Sequence, residues 1–289
     1  MPSPVGPRPI DLRRLTAAAR ALAERIETAR PDPVAGPPRR QRILITGASS
    51  GIGSELARVW AADGRTLALC ARRVDRLEAL ADELRTAHPD VRVETYQLDV
   101  TDPGAVDFVL SAAADQLGGL DRVVANAGIG KGAPVGTGYD WANRATLQTN
   151  AVGALNTAEK AVQLFRAAGP AGGHLVLVSS IAALRGMGGA RTGYAASKAA
   201  VSALGEGLRS ELRGTPITVS VVHPGYIDTA INARDAKKKW SLPLDRGGRM
   251  VAAAIDGERP VSWVPPLPWE LLAAPLRVVP LDLFRRILD

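Results

Sequence analysis

The chain is poor in the residues that staple or metallate a protein. One of its 289 residues is cysteine, Cys70, so no internal disulfide can form and a reducing compartment is expected. Cys70 sits inside an apolar run and reads as a buried structural thiol. The three histidines, His88, His174 and His223, lack the spacing of metal ligands, and no metal site is expected. No apolar run approaches the length of a membrane-spanning helix. The opening Met1-Pro2-Ser3-Pro4 lacks a basic stretch followed by an apolar one, so a secretory signal is not expected and the cytoplasm is the expected location.

Positive charge is present in excess but is not spread over the chain. The formal charge is +7, and residues 1–42 hold nine arginines against four acids, a local +5 that leaves +2 on the other 247 residues. A folded part so nearly balanced argues against a nucleic-acid-reading face. Apolar residues make up 46%, enough to build a core and to exclude global disorder.

Residues 1–40 form an extension. Its Pro- and Arg-rich stretches 1–9 and 31–40 read as linkers around a short amphipathic helix with Leu12, Leu15, Ala19, Leu22 and Ile26 on one stripe. That helix is expected to dock on its own domain or a second subunit, with an anionic membrane surface as the sharper alternative. Residues 41–265 alternate strand-like and helical patterns. Strands are expected at 42–46, 66–71, 91–98, 121–125, 174–179 and 217–222, with a weaker one at 261–264. Helices are expected near 51–63, 74–87, 103–117, 140–168, 195–213 and 245–256. Strands apolar throughout suit a parallel sheet covered on both faces, and the strand–helix rhythm predicts an α/β fold with a doubly wound sheet of Rossmann type.

In Thr46-Gly47-Ala48-Ser49-Ser50-Gly51-Ile52-Gly53, three glycines fall where the first strand turns into the first helix. Such a turn needs unusual backbone angles, and a pyrophosphate needs close approach to a backbone without Cβ atoms in the way. An acid about 20 residues further on usually selects NAD by binding a ribose hydroxyl. Here Leu69-Cys70-Ala71 ends instead on Arg72 and Arg73, whose guanidinium groups suit a phosphate. NADP(H) is therefore expected over NAD(H), chiefly through Arg72.

Far downstream, Tyr194 and Lys198 stand one helical turn apart. A free phenol has a pKa near ~10, and a neighbouring ammonium lowers it by favouring the phenolate. With Leu98-Asp99-Val100, Asn126-Ala127-Gly128, Asn150, Ser179-Ser180 and His223-Pro224-Gly225, these motifs stand in the order of the short-chain dehydrogenase/reductase family, which the chain resembles over about residues 41–265. Ser180 precedes Tyr194 by fourteen residues, one more than is usual there, and Ala125 replaces a common Asn.

The resemblance implies a nicotinamide-dependent oxidoreductase acting on a small carbonyl or alcohol. Tyr194 would be the general acid, Lys198 would assist it and bind ribose hydroxyls, Ser180 would bond the substrate oxygen, and Asn150 would hold a proton-relaying water. The cofactor would touch Gly47, Ser49, Ser50, Gly51, Ile52 and Gly53 at the turn. Asp99 with Val100 would meet the adenine, and Asn126, Ala127 and Gly128 would lie behind the ribose. Ile227 and Thr229, after Pro224 and Gly225, would contact the carboxamide, although Thr229 also reads as a helix cap. A homo-oligomer is implied as well. The rival class is a non-catalytic nucleotide-binding or interaction protein on the same fold.

The segment from Tyr226 to Leu244, with Lys237-Lys238-Lys239-Trp240, would be a lid over the substrate. Its lysines read as a solvated face, with an acidic or phosphorylated substrate as the alternative. The tail, 266–289, is apolar and punctuated by Arg277, Arg285 and Arg286, and Pro275 and Pro280 argue against one long helix. It is expected to pack over the substrate pocket or across a dimer, with peripheral membrane contact as the alternative.

Overall fold

The computed structural model describes residues 40–231 and 241–281. Runs of Val, Leu, Ile and Ala make the strands. They are β1 (Arg42–Thr46), β2 (Thr66–Ala71), β3 (Val93–Gln97), β4 (Arg122–Ala125), β5 (Gly173–Val178), β6 (Ile217–Pro224) and β7 (Val261–Val264). They form one parallel sheet in the order β3-β2-β1-β4-β5-β6-β7. The α/β doubly wound architecture expected from the sequence is the one found.

The helices are α1 (Ile52–Ala62), α2 (Val74–Ala87), α3 (Pro103–Leu117), α4 (Asp140–Leu147), α5 (Gly153–Ala167), α6 (Thr192–Glu211), α7 (Leu244–Asp256) and α8 (Pro266–Val278). Local chemistry sets some boundaries. Asp102 accepts from the Gly104 and Ala105 amides, Pro103 opens α3, and Gly118, at φ +71°, ends it. Alternate residues of β1 explain why both faces are covered. Ile43 and Ile45 pack with Leu56, Trp60 and Val251 on one side, while Leu44 packs with Leu110, Phe165 and Leu175 on the other. Cys70 is buried in the same layer as Leu44, and burial pushes its thiol up.

Strand and helix ends shift by up to three residues from expectation, and the helices depart from it in three further respects. The helix expected over 140–168 is interrupted by a π turn, Gln148–Val152, where the Gly153 amide reaches back to Gln148 O. Single π turns of this kind concentrate at functional sites. Helix α6 begins at Thr192, not 195, because a preceding single turn, Gly189–Arg191, is tied to it by Thr192 Oγ1 donating to Gly189 O. Helix α8 runs through Pro275 and stops at Val278, before Pro280, so only the second proline bounds it. The N-terminal helix around Leu12 to Ile26, the Lys237-Lys238-Lys239-Trp240 stretch and the tail beyond residue 281 lie outside the described residues. Among the described residues no helix is long and apolar enough to cross a membrane.

At the strands' starting ends, away from the glycine turn, charge is buried deliberately. Arg122, 1% exposed, donates to His174 Nδ1 at 2.9 Å and to Asp256, and its other nitrogen lies 3.5 Å from Glu258. Arg65 forks onto Asp256 at 2.7 and 2.9 Å, and Arg40 onto Glu258 at 2.9 and 3.3 Å. Both Arg65 and Arg122 lie over the Trp60 ring. Burial works to raise the Glu258 carboxyl, but the Arg40 hydrogen bond and the charges of Arg40 and Arg122 outweigh it and hold the group at about 2. Burial, with Arg122 beside it, pushes His174 down to about 3, which suits a neutral ring accepting at Nδ1 and donating from Nε2 to Ser220 Oγ.

These shifts make the fold acid-sensitive in two steps. The unfolded chain protonates His174 near pH 6.5 while the folded chain refuses that proton until about 3, so stability falls as pH drops below 6.5. The Glu258 contribution is complete above its ordinary 4.5 and is lost as pH falls toward 2. Thermal melting across pH should show both slopes, and His174→Gln should reduce the upper one, which buried His223, pushed down to about 4, shares. An unchanged slope between pH 6.5 and ~4.5 in that variant would discard His174 as its source.

Candidate active site

The sheet order reverses between β1 and β4, and the connections leaving their carboxyl ends diverge to open a crevice there. The turn after β1 faces it. Gly47 has φ +71° and Gly51 φ +61°, a region costly for other residues. A Cβ on Gly53 would stand 2.5 Å from Gly47 O and 2.6 Å from Asn126 Nδ2, and one on Gly47 would stand 2.7 Å from Ala127 Cα. The turn thus lies directly against the end of β4. Thr46 Oγ1 accepts from the amides of Asn126 and Ala127, each at 3.1 Å, and donates to Val124 O at 3.2 Å. Asn126 Nδ2 donates to Thr46 O at 2.9 Å and Gly47 O at 3.4 Å. In the structure the Asn126 amide is a latch on the glycine turn. Ile52 and Gly53 open α1, whose first amides face the turn.

At the end of β2 the two arginines separate. Arg73 donates to Ser49 Oγ at 3.0 Å and Ser50 Oγ at 2.6 Å, bringing a guanidinium onto the glycine turn. Arg72 lies 3.5 Å from Asp99 Oδ2, and both are largely exposed. Arg73 is therefore the residue grouped with Ser49 and Ser50, while Arg72, the expected phosphate ligand, lies beside Asp99. Asp99 Oδ1 accepts from the amide and hydroxyl of Thr101. Val100 is buried, its carbonyl accepts from Asn156 Nδ2, and its side chain fills the space a Cβ on Gly153 would need.

The catalytic candidates converge across the crevice. Ser180 and Tyr194 line the same cleft, where Ser180 Oγ accepts from the Ala182 amide at 3.1 Å and acts on the Tyr194 phenol. Its neighbour Ser179 points the other way, donating to Lys198 O and sharing a hydrogen bond with Ser202, which settles which serine faces Tyr194. The longer Ser180–Tyr194 spacing is accommodated by the two single turns Ile181–Ala183 and Gly189–Arg191. Burial pushes the Tyr194 phenol up, and the Ser180 hydroxyl beside it works the other way. Lys198, one turn on, is buried with Nζ donating to Val178 O at 2.8 Å and standing 5.9 Å from the Tyr194 ring centroid. Burial lowers its pKa to about 8.

Asn150 sits in the π turn. Its Oδ1 accepts from the Ile129 amide at 2.8 Å, and its Nδ2 donates to Ile129 O and Ser197 Oγ, each at 3.0 Å. Ser197 in turn donates to Tyr194 O at 2.7 Å. The side chain of Asn150 therefore joins the loop after β4 to the Tyr194 turn, a positioning role the sequence reading did not foresee. Gly128 keeps room beside the ammonium, since a Cβ there would lie 3.2 Å from Asn150 Oδ1 and 3.5 Å from Lys198 Nζ.

Pro224 ends β6 and Gly225 follows it at the same rim. Thr229 faces the glycine turn, its Cγ2 3.4 Å from where a Cβ on Gly51 would lie. The Ile227 side chain is buried in the core with Val251, so any contact it makes in the crevice falls to its main chain. A cleft opens beside Ser180 and Tyr194, lined further by Ile181, Met187, Tyr226 and Ile231. Behind it α8 is packed: Trp269, Ala273 and Leu276 join Ile181, Leu184 and Tyr226 in one apolar cluster. A Cβ on Gly225 would meet Trp269 Nε1 at 2.8 Å. Arg185 donates to Arg277 O at 2.8 Å and Val279 O at 2.7 Å, capping α8 from the loop between Ser180 and Tyr194. Nothing in the sequence singled out Trp269 or Arg185 from the other residues of their types.

A family model described as short chain dehydrogenase matches residues 41–240. An uncharacterized oxidoreductase of Mycobacterium tuberculosis (strain H37Rv) is 47% identical over 247 residues, covering 86% of this chain and 97% of that protein. Dehydrogenase/reductase SDR family member 7B of Bos taurus is 35% identical over 231 residues, covering 78% of this chain and 68% of that one. A solved short-chain dehydrogenase from Sphingobium yanoikuyae, in complex with NADPH, superposes with a TM-score of 0.70 at 28% identity, over 81% of this chain and 93% of its own.

Because α8 supports the cleft from behind, Trp269→Ala should both destabilise the protein and expose the tail to protease. Removing so large a buried ring costs about 3–5 kcal/mol. Thermal melting and limited proteolysis would measure the two effects; a wild-type melting point with an uncleaved tail would show that α8 does not depend on Trp269.

Proposed function

Given that the chain belongs to the short-chain dehydrogenase/reductase family and is an NAD(P)-dependent oxidoreductase, we propose that it interconverts a carbonyl and an alcohol with NADP(H), using Tyr194 as the proton donor and acceptor. The observation that carries this reading is the Tyr194 phenol at the cleft beside Ser180, with the buried Lys198 ammonium one turn away.

The residues at the crevice fit a dinucleotide. Bare backbone at Gly47, Gly51 and Gly53 forms the cradle, with no room for a Cβ at Gly53 or Gly47. Arg73 with Ser49 and Ser50 offers a guanidinium and two hydroxyls suited to a ribose phosphate, with Arg72 nearby. Asp99 and Val100 flank the adenine end, Asn126, Ala127 and Gly128 back the ribose, and Thr229 and Ile227 close the nicotinamide end. When bound, the nicotinamide cofactor supplies or takes up the hydride.

The chain's own side chains handle the proton. In reduction, Ser180 holds the substrate carbonyl oxygen and Tyr194 donates its phenolic proton to that oxygen. Burial keeps the phenol protonated beforehand, as a general acid requires. The Lys198 ammonium stabilises the phenolate left behind, and its bond to Val178 O holds it against the Tyr194 turn. Asn150, through Ile129 and Ser197, keeps that turn in place. In oxidation the same groups run in reverse.

Tyr194→Phe should abolish turnover of a panel of ketones while leaving NADPH binding nearly intact, a loss of roughly 10²–10⁴-fold. Steady-state kinetics alongside fluorescence titration of NADPH would test it; activity within about threefold of wild type removes Tyr194 from the mechanism, and no turnover by the wild type favours a nucleotide-binding protein instead.

Cofactor choice is tested separately. Wild-type protein should bind NADPH more tightly than NADH by roughly 10- to 150-fold, the range of charge-assisted hydrogen bonds. Arg73→Ala should erode this preference more than Arg72→Ala. Equal dissociation constants for the two cofactors in the wild type would end the NADP(H) assignment.

A further inference from the structure

Lys198 is held from two directions at the end of β5. Its Nζ donates to Val178 O at 2.8 Å, and the next residue, Ser179, sends its hydroxyl back to Lys198 O at 2.8 Å. Side chain meets main chain both ways, so Lys198 and the β5 exit clasp one another. Ser202, one turn further along α6, shares a hydrogen bond with Ser179 Oγ at 2.8 Å and lies 3.2 Å from Lys198 O. His223, the residue before Pro224 and Gly225, completes the group, with its Nε2 at 3.0 Å from Ser202 Oγ.

Each serine hydroxyl carries one proton, too few to fill the contacts of Ser179 with Lys198 O, Ser202 with Ser179, and His223 with Ser202 together. A ring proton on His223 Nε2 supplies the third, and the bonds then run in one direction from the ring to Lys198 O. Burial pushes His223 down to about 4, so at neutral pH the ring sets no second positive charge beside the ammonium. The ring is itself fixed. Trp263, its neighbour across the β6–β7 pair, stacks on it with centroids 4.2 Å apart and planes 24° apart. Trp263 in turn packs against the cluster that holds Trp269 and Leu276. The edge strand and α8 thereby hold a ring whose hydrogen bonds lead to Lys198.

Resting on the Tyr194 and Lys198 reading above, we propose that His223 is a positioning residue for the proton transfer. Through Ser202 and Ser179 it fixes the main chain of Lys198, and with it the reach of the ammonium toward Tyr194. The ammonium stands 5.9 Å from the Tyr194 ring centroid, and its effect on the phenolate falls as that distance grows. None of Ser179, Ser202 and His223 is among the residues lining the cleft beside Tyr194. Breaking the chain therefore acts on the proton-moving step and leaves substrate binding alone.

His223→Phe keeps a ring against Trp263 but loses the bond to Ser202, and His223→Gln restores a donor. With a ketone that the wild type reduces, His223→Phe and Ser202→Ala should each lower kcat about tenfold and leave KM within about twofold. His223→Gln should recover most of the loss. Because the two residues belong to one chain, the double variant should be no worse than the poorer single one, within about twofold. The Tyr194 limb of the pH profile should move up by about one pH unit in each broken variant, since a less closely held cation favours the phenolate less. Phenolate absorbance of the full chain, taken as the difference from the matching Tyr194→Phe protein, should show the same upward shift without any turnover. An unmoved limb and an unmoved phenolate titration, with only a lower melting temperature, would make His223 structural and overturn the proposal, as would additive losses in the double variant. Should His223→Phe fail to fold, Ser202→Ala carries the same test. Wild-type turnover in Tyr194→Phe would sink the reading of Tyr194 and this inference with it. Loss of turnover there with an unmoved titration in His223→Phe sinks this inference alone.

Discussion

The reversal of strand order between β1 and β4 is the constraint on which the site depends. Helices leaving neighbouring strands to opposite faces open a crevice that no loop has to be folded to make. An open crevice must still be braced, because the glycine turn has little side-chain packing of its own. Thr46 and Asn126 supply that bracing, with the Thr46 hydroxyl bonded to three backbone groups of β4 and its exit and the Asn126 amide bonded to two carbonyls of the turn. The small residues follow from this closeness. Gly47 and Gly53 are tight because the latch draws the turn against Ala127 and Asn126.

A second latch holds the proton-moving side to the same edge. The π turn in the helix after β4 presents Asn150 to Ile129 on one side and Ser197 on the other. An unbroken α-helix would rotate Asn150 away from one of these partners, since each added residue turns the face by about 100°. Burial of Lys198 is tolerable because Val178 O accepts from its ammonium and because burial lowers its pKa to about 8. Its place beside Tyr194 is a compromise between solvation and chemistry, typical of groups that must work near neutral pH.

The two ends of the sheet are stabilised by different means. Toward the site, α8 seals the substrate loop with an apolar cluster and the Arg185 cap. At the far end, Arg122, Arg65 and Arg40 share Asp256 and Glu258 with His174. A buried ionic network of this sort is a poor source of net stability but a demanding one geometrically. It ties the starts of β4 and β5 to the end of α7, so β7, which follows, enters the sheet in register.

Much of this was legible from residue order alone. Apolar strands separated by helical periodicity imply a parallel sheet covered on both faces, because each strand must bury both of its sides. Thr46 to Gly53, and Tyr194 with Lys198, are local patterns whose spacing carries their geometry, so the glycine turn and the one-turn offset could be read directly. Arg73 rather than Arg72 meeting Ser49 and Ser50 could not be read, since adjacent residues leave a strand end in different directions and only the turn into α2 decides which one faces the crevice. The π turn at Asn150 had no signal, because Gln148 to Val152 carries nothing that distinguishes it from ordinary helix. The roles of Trp269 and Arg185 are likewise tertiary. They arise where segments distant in sequence pack at one rim, and pattern along a chain does not encode which distant segments will meet.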